Sequence, residues 1–126
     1  MGSDPGSKIA LGRSAENVAA HYLRCNGYRI LERNSRARMG EIDLVAQEGK
    51  TLCFIEVKAR SSIRFGWPEE AVTFRKRQRL IRLAQLYLRR HPAHHSAPIR
   101  FDVLLILSEK GDPGRIRLIK GAIEAA

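Results

Sequence analysis

Two short stretches of this sequence carry residue types that could do chemistry together. One is Asp43 within Glu-Ile-Asp-Leu-Val, residues 41–45. The other is the tripeptide Glu56-Val57-Lys58. Successive side chains of a strand point to opposite faces, so Glu56 and Lys58 share one face of their segment, and Glu41 and Asp43 share one face of theirs. If the two segments pair as a hairpin, the acidic faces are neighbours. Carboxylates on adjacent strands offer the hard oxygen ligands that Mg²⁺ takes while it keeps several waters. A cation there would make a bound water more acidic, and a lysine beside it would orient that water or stabilise developing charge. Asp43, Glu56 and Lys58 lie among β-branched and aromatic neighbours, where an unpaired charge is costly to bury. Rules broken locally without structural gain mark functional sites. The competing reading is a half-exposed strand whose Glu56 and Lys58 pair with other charges in solvent.

Two further features bear on the same chemistry. Glu16 falls at the border of the apolar stripe Ala15, Val18, Ala19, Tyr22 and Leu23. Its carboxylate could therefore look across at the sheet, or pair with Arg13 or Arg24 on its own helix. If Thr73 caps a second helix, Arg75, Lys76 and Arg77 fall in its first turn, where cations oppose the helix dipole. An anion such as a phosphate group would resolve that conflict.

These residues need elements to position them. Ile9–Cys25 has helical periodicity, with Gly27 as a stop. Tyr28–Glu32 alternates weakly as a short strand, and Asn34–Gly40 reads as a basic loop. Glu41–Gln47 and Thr51–Ala59 read as strands joined by Glu48-Gly49-Lys50, which has the glycine a hairpin turn wants. Ile42, Leu44 and Ala46 are expected on one face. Cys53, Ile55, Val57 and Ala59 should oppose Phe54, Glu56 and Lys58. A loop with Phe65, Gly66, Trp67 and Pro68 follows, then a helix over Thr73–Arg90 with the stripe Leu80, Ile81, Ala84, Tyr87 and Leu88. Arg100–Leu107 reads as a buried strand and Arg115–Lys120 as an edge strand. The order predicts an α/β domain with a mixed sheet covered by helices. His91, His94 and His95 are read as a solvated loop rather than a metal site.

The bulk properties set the partner. Lys plus Arg is 23 against 13 Asp plus Glu, a net charge of +10. Self-repulsion of that size points to a polyanionic partner, with DNA or RNA ahead of a membrane surface or an acidic protein; the competing reading is an arginine-rich surface that serves only solubility. The 126 residues suit one domain, placed at 9–126, with 1–8 as a loose tail. No apolar run has the length of a membrane span and no secretory signal is recognisable, so a cytoplasmic protein is expected. The two cysteines, Cys25 and Cys53, belong to no CxxC pair and are read as reduced thiols.

The sequence also resembles a known family. The stretches that carry the resemblance are Gly12-Arg13-Ser14-Ala15-Glu16, Gly27-Tyr28-Arg29-Ile30-Leu31, Arg33-Asn34, Gly40-Glu41-Ile42-Asp43-Leu44-Val45 and Phe54-Ile55-Glu56-Val57-Lys58-Ala59-Arg60. Phe65-Gly66, Lys76 and Arg100-Phe101-Asp102-Val103 continue it. Together they resemble the YraN-like family of small bacterial proteins, which is similar to archaeal Holliday-junction resolvases within the restriction-endonuclease-like PD-(D/E)xK superfamily. The resemblance implies a restriction-endonuclease-like mixed β-sheet flanked by helices. It implies that Asp43 is the first metal aspartate, with Ile42 where the signature has proline, that Glu56 is the second metal carboxylate, and that Lys58 is the motif lysine. Glu16 matches the helix glutamate of the resolvases, and the Val57 carbonyl is a further ligand position.

The function expected is a Mg²⁺- or Mn²⁺-dependent endonuclease acting on DNA, including branched or repair DNA. Phosphate contacts are assigned to Arg36, Arg38, Arg60, Lys76 and Arg79. The alternative is a non-catalytic nucleic-acid-binding protein that keeps the fold. A homodimer is left open.

Overall fold

The computed structural model describes residues 5–60, 74–107 and 115–123, with side chains from Ala15 and from Arg75 in the first two stretches. The elements are α1 (Pro5–Cys25), β1 (Tyr28–Ala37), β2 (Gly40–Glu48), β3 (Thr51–Arg60), α2 (Phe74–Arg90), β4 (Ile99–Leu107) and β5 (Arg115–Ile123). A 3-10 turn, Pro92–His94, follows α2. The helix α1 begins at Pro5, ahead of the expected Ile9. Proline at a first helical position is pre-set for helix and loses no hydrogen bond there. The expected loop around Gly66 and Trp67 and the expected cap at Thr73 lie outside the described residues.

The sheet runs β1-β2-β3-β4-β5 in space. β1–β2, β2–β3 and β4–β5 are antiparallel, while β3 and β4 are parallel. A parallel pair needs a crossover, and α2 lies in that connection. The architecture is thus the α/β arrangement expected, a mixed five-stranded sheet with two helices, consistent with a restriction-endonuclease-like fold.

Each helix covers one face. Ala19 and Leu23 of α1 pack on Leu44, Ala46, Cys53, Ile55, Leu104 and Ile106. Leu80, Leu83, Ala84 and Tyr87 of α2 pack with Ile42, Val45, Phe54, Phe101, Val103 and Leu105. Phe54 meets Tyr87 edge-on at 5.7 Å between centroids. Both helices lay their expected stripes on the sheet, and Leu83 adds to that of α2.

Two expectations about β1 and β2 are corrected. Asn34–Ala37 are not loop, because β1 continues to Ala37 and only Arg38 and Met39 form the turn. Pairing with β2, from Arg33–Leu44 to Ala37–Gly40, supplies order that the charged residues of β1 do not signal themselves. Nor does Ile42 share a face with Leu44 and Ala46, for it packs on the α2 side and they on the α1 side. The simple alternation fails at Asp43. Opposite it, between the pairs Arg33–Leu44 and Ser35–Ile42, Asn34 has a left-handed φ of 53°. Asparagine tolerates that region better than most residues.

At the opposite end of the sheet a second polar group is buried. Asp102, 1% exposed, accepts from the Arg100 guanidinium at 2.8 and 2.9 Å and from the Gly121 N–H at 2.9 Å. Arg100 also donates to the Tyr28 hydroxyl at 2.8 Å and to Glu48 at 2.9 Å, and Glu48 accepts from Lys120 at 2.7 Å. Residues of β1, β2, β4 and β5 are tied there into one satisfied network, which explains why this charge is tolerated in the core. Burial, then the Asp102 charge, pushes the Tyr28 hydroxyl well above its ordinary value and keeps it protonated.

Candidate active site

The expected site residues come together where β2 and β3 part. The β2–β3 ladder runs from Glu48–Thr51 to Leu44–Ile55 and ends there. One step further, the Asp43 carboxylate takes the place of a strand partner and accepts from the Val57 N–H at 2.8 Å. A carboxylate inserted where a backbone carbonyl would sit holds the two strands apart and fixes its own direction. In a strand the N–H and C=O of one residue point to the same side, so the Val57 carbonyl shares the side of Asp43.

Glu56 and Lys58 lie on the same face of β3, as their spacing requires. The Lys58 amine stands 3.2 Å from the Glu56 carboxylate, with the lysine only 8% exposed. Lys76, in the first turns of α2, reaches over this pair. The Lys58 amine beside it draws the Lys76 amine below its ordinary value, and the proximity of Glu56 works in the opposite direction. Glu41, Asp43, Glu56, Lys76 and Arg79 line one cleft of about 280 Å³, with Gly40 and Leu80 completing it.

Glu16 reaches this end of the sheet from α1. Its carboxylate accepts from Asn34 at 3.0 Å, so the described structure places it toward the sheet. The left-handed Asn34 thus ties α1 to the strand opposite Asp43. Carboxylate oxygens of Glu16, Glu41 and Asp43 lie within 4.8 Å of one another. Glu41 is the residue missed by the sequence assignment, although its shared face with Asp43 was the available signal. It also pairs with Arg36 at 3.1 Å.

Crowding of carboxylates has a measurable consequence. Burial, then the Glu56 charge, pushes the Asp43 carboxyl up to about 7 against the opposing Val57 N–H bond, with Glu16 and Glu41 adding to the rise. Oxygens around one Mg²⁺ sit at about 2.0–2.1 Å from it, hence at most about 4.2 Å from one another, so these three carboxylates, spread over up to 4.8 Å, need only a small inward turn to share a cation. A divalent cation would also relieve the repulsion that raises Asp43. The donor set fits a hard cation on both counts.

The assigned phosphate contacts divide. Arg79 lines the cleft and Lys76 stands half-buried within it. Arg38 is exposed on the β1–β2 turn. Arg36 is exposed but engaged with Glu41. Arg60 is exposed at the end of β3 and donates to the Ala59 carbonyl at 2.9 Å. Away from the site, His91 stacks on Tyr87 at 3.9 Å between centroids, half-buried rather than fully solvated. Cys25 is exposed and Cys53 buried, both as free thiols. No described helix is long and apolar enough to cross a membrane.

The chain is similar to known proteins over most of its length. The model of an uncharacterised protein family, UPF0102, matches residues 15–106, a stretch that contains every residue of the cleft. A UPF0102 protein of Frankia casuarinae is 50% identical over 116 residues, covering 92% of this chain and 98% of its own. One from Symbiobacterium thermophilum is 50% identical, covering 91% and 97% respectively. One from Lachnoclostridium phytofermentans is 46% identical, covering 94% and 97%.

Proposed function

The chain belongs to the uncharacterised protein family UPF0102, the YraN-like family of the sequence resemblance, and we propose that it is a DNA endonuclease of the PD-(D/E)xK type that uses Mg²⁺ or Mn²⁺. The observation that carries this reading is the cleft at the parted end of β2 and β3. There Asp43 and Glu56 face the same space as Lys76 and Arg79, with Lys58 alongside. Carboxylates and amines converging at a gap in a sheet suit hydrolysis of a phosphodiester, whose anion needs cations and whose attacking water needs activation.

Each residue takes a role from its position. Asp43, fixed by Val57, and Glu56 would ligate the cation, with Glu16 and the Val57 carbonyl assisting. Glu41 stands with Glu16 and Asp43 in one carboxylate cluster, close enough to join the ligand set, while Glu56 stands against its lysine partner. A bound divalent cation supplies Lewis acidity and a water of lowered pKa. Lys58, rigid through burial, donates to the attacking water or to the scissile phosphate as negative charge grows there. Lys76 and Arg79 hold the phosphodiester backbone across the mouth. Exposed Arg38 and Arg60 extend the cationic track, and Arg36 joins it when released from Glu41. A cytoplasmic setting, where DNA and reduced thiols coexist, fits the free Cys25 and Cys53.

A second reading is favoured by the short Lys58–Glu56 contact, because a closed ion pair needs no metal. In that case the protein binds nucleic acid without cutting it. Titration calorimetry with Mn²⁺ and Mg²⁺, beside a cleavage screen over single-stranded, duplex, flap and four-way-junction DNA, separates the two. The endonuclease reading expects cation binding that Asp43→Ala removes, and cleavage that needs the cation. Absence of both would leave the binding protein.

A further inference from the structure

We propose that the β1–β2 turn is a probe for displaced bases, in which Met39 docks against a base unstacked from DNA held by the arginines of α2. This rests on DNA being the partner and is independent of cleavage.

Met39 is 43% exposed, and among the described residues only Ile99 is another large hydrophobic side chain so exposed. It sits at the tip of a two-residue turn beside Arg38. It shares a shallow groove of about 420 Å³ with Arg75, Gln78, Arg79 and Arg82. Those arginines recur at i, i+4 and i+7, so they form one stripe along α2. Arginine stems can line apolar surface while their guanidinium groups stay at the rim. The groove therefore has an apolar floor with cations above it. A phosphodiester chain with one base turned out matches both parts, presenting an anionic backbone and a flat apolar face.

The neighbouring cleft decides between DNA and another anionic surface. Gly40 lines that cleft and lies against Arg79, where an added Cβ would stand 3.4 Å from Arg79 Cδ. Arg79 lines both the groove and the cleft. A strand seated on the groove continues past Arg79 toward Asp43 and Glu56. A phosphodiester chain is narrow enough to follow the groove into that cleft, whereas a flat lipid surface would lie across its mouth without entering it. Methionine suits the task, being unbranched and adaptable in its contacts. Apolar wedges of this kind are used by proteins that engage unstacked base steps.

The test uses the full chain in EDTA, so that no cleavage is read. Fluorescence anisotropy compares a fully paired DNA duplex with the same duplex carrying one unpaired 2-aminopurine. The wild type is expected to prefer the bulged duplex, and Met39→Ser to cut that preference by about fivefold, the low end for one base contact. Met39→Leu should retain it, and Arg79→Ala should weaken both duplexes alike. The 2-aminopurine signal should change with wild type and much less with Met39→Ser. Melting curves confirm that the exposed substitution leaves the fold intact. An unchanged preference in Met39→Ser or no preference in the wild type overturns the proposal, as does a wild type that binds vesicles of anionic phospholipid but neither duplex. No cleavage of either duplex in a parallel Mn²⁺ assay, with the preference in EDTA intact, would refute the endonuclease reading and leave this one standing.

Discussion

Asp43→Asn should make the metal-free protein more stable at pH 8 while abolishing its response to divalent cations. The Asp43 carboxyl is raised from 3.8 to about 7, chiefly by burial and by Glu56. At about 1.4 kcal/mol per pKa unit, keeping it ionised above pH 7 costs the fold at most about 4 kcal/mol. The sign follows from proton binding. Between pH 4 and 7 the folded state holds the Asp43 proton more tightly than the unfolded chain, so stability falls as pH rises through that window and levels off above it. Asparagine removes the charge yet keeps an oxygen to accept from the Val57 N–H. The gain at pH 8 in EDTA should therefore be about 1–4 kcal/mol, or roughly 4 °C in Tm for each kcal/mol. Near pH 4 the two proteins should differ little. Saturating Mn²⁺ should stabilise the wild type at pH 8 by about 2.7 kcal/mol at a hundredfold excess over Kd, and the variant hardly at all. Denaturant melts at the two pH values, each with EDTA and with Mn²⁺, read all four outcomes. A variant less stable than wild type at pH 8 in EDTA would refute the account of carboxylate crowding.

Four further outcomes follow from the same geometry. Glu56→Ala and Lys58→Ala should each lower metal-dependent cleavage by about a hundredfold or more with DNA affinity nearly kept, as measured by gel cleavage and anisotropy. If the pair is only structural, both should instead lower Tm through an unpaired, partly buried charge. Glu41→Gln should weaken Mn²⁺ binding by about tenfold in calorimetry, and unchanged affinity would remove it from the ligand set. DNA affinity should fall about a hundredfold between about 50 and 200 mM salt if about four phosphates are neutralised, and a flat response would deny the arginine contacts. Asp102→Ala should cost about 3–5 kcal/mol in denaturant melts, because Arg100 and the Gly121 N–H lose their acceptor. A loss below about 1 kcal/mol would mean the network contributes little.

Much of this molecule was determined by the sequence alone, wherever a short-range rule sufficed. Period-two alternation put Glu56 and Lys58 on one face of β3, and they stand 3.2 Å apart. Helical periodicity placed Ala19 and Leu23 of α1, and Leu80, Ala84 and Tyr87 of α2, against the sheet. What only the tertiary structure decided depends on partners remote in the chain. The polar stretch Asn34–Ala37 has no strand signature, and it becomes strand because β2 lies beside it. Ile42 leaves the face of Leu44 because the alternation breaks at Asp43, whose carboxylate turns to the Val57 N–H. Alternation pairs Glu41 with Asp43, but no spacing rule brings Glu16 within reach of both, because it arrives from α1. Alternation and helical period report which way a side chain faces. Distance between carboxylates on different elements is set by how the elements pack, and that is settled only when the sheet closes on both helices.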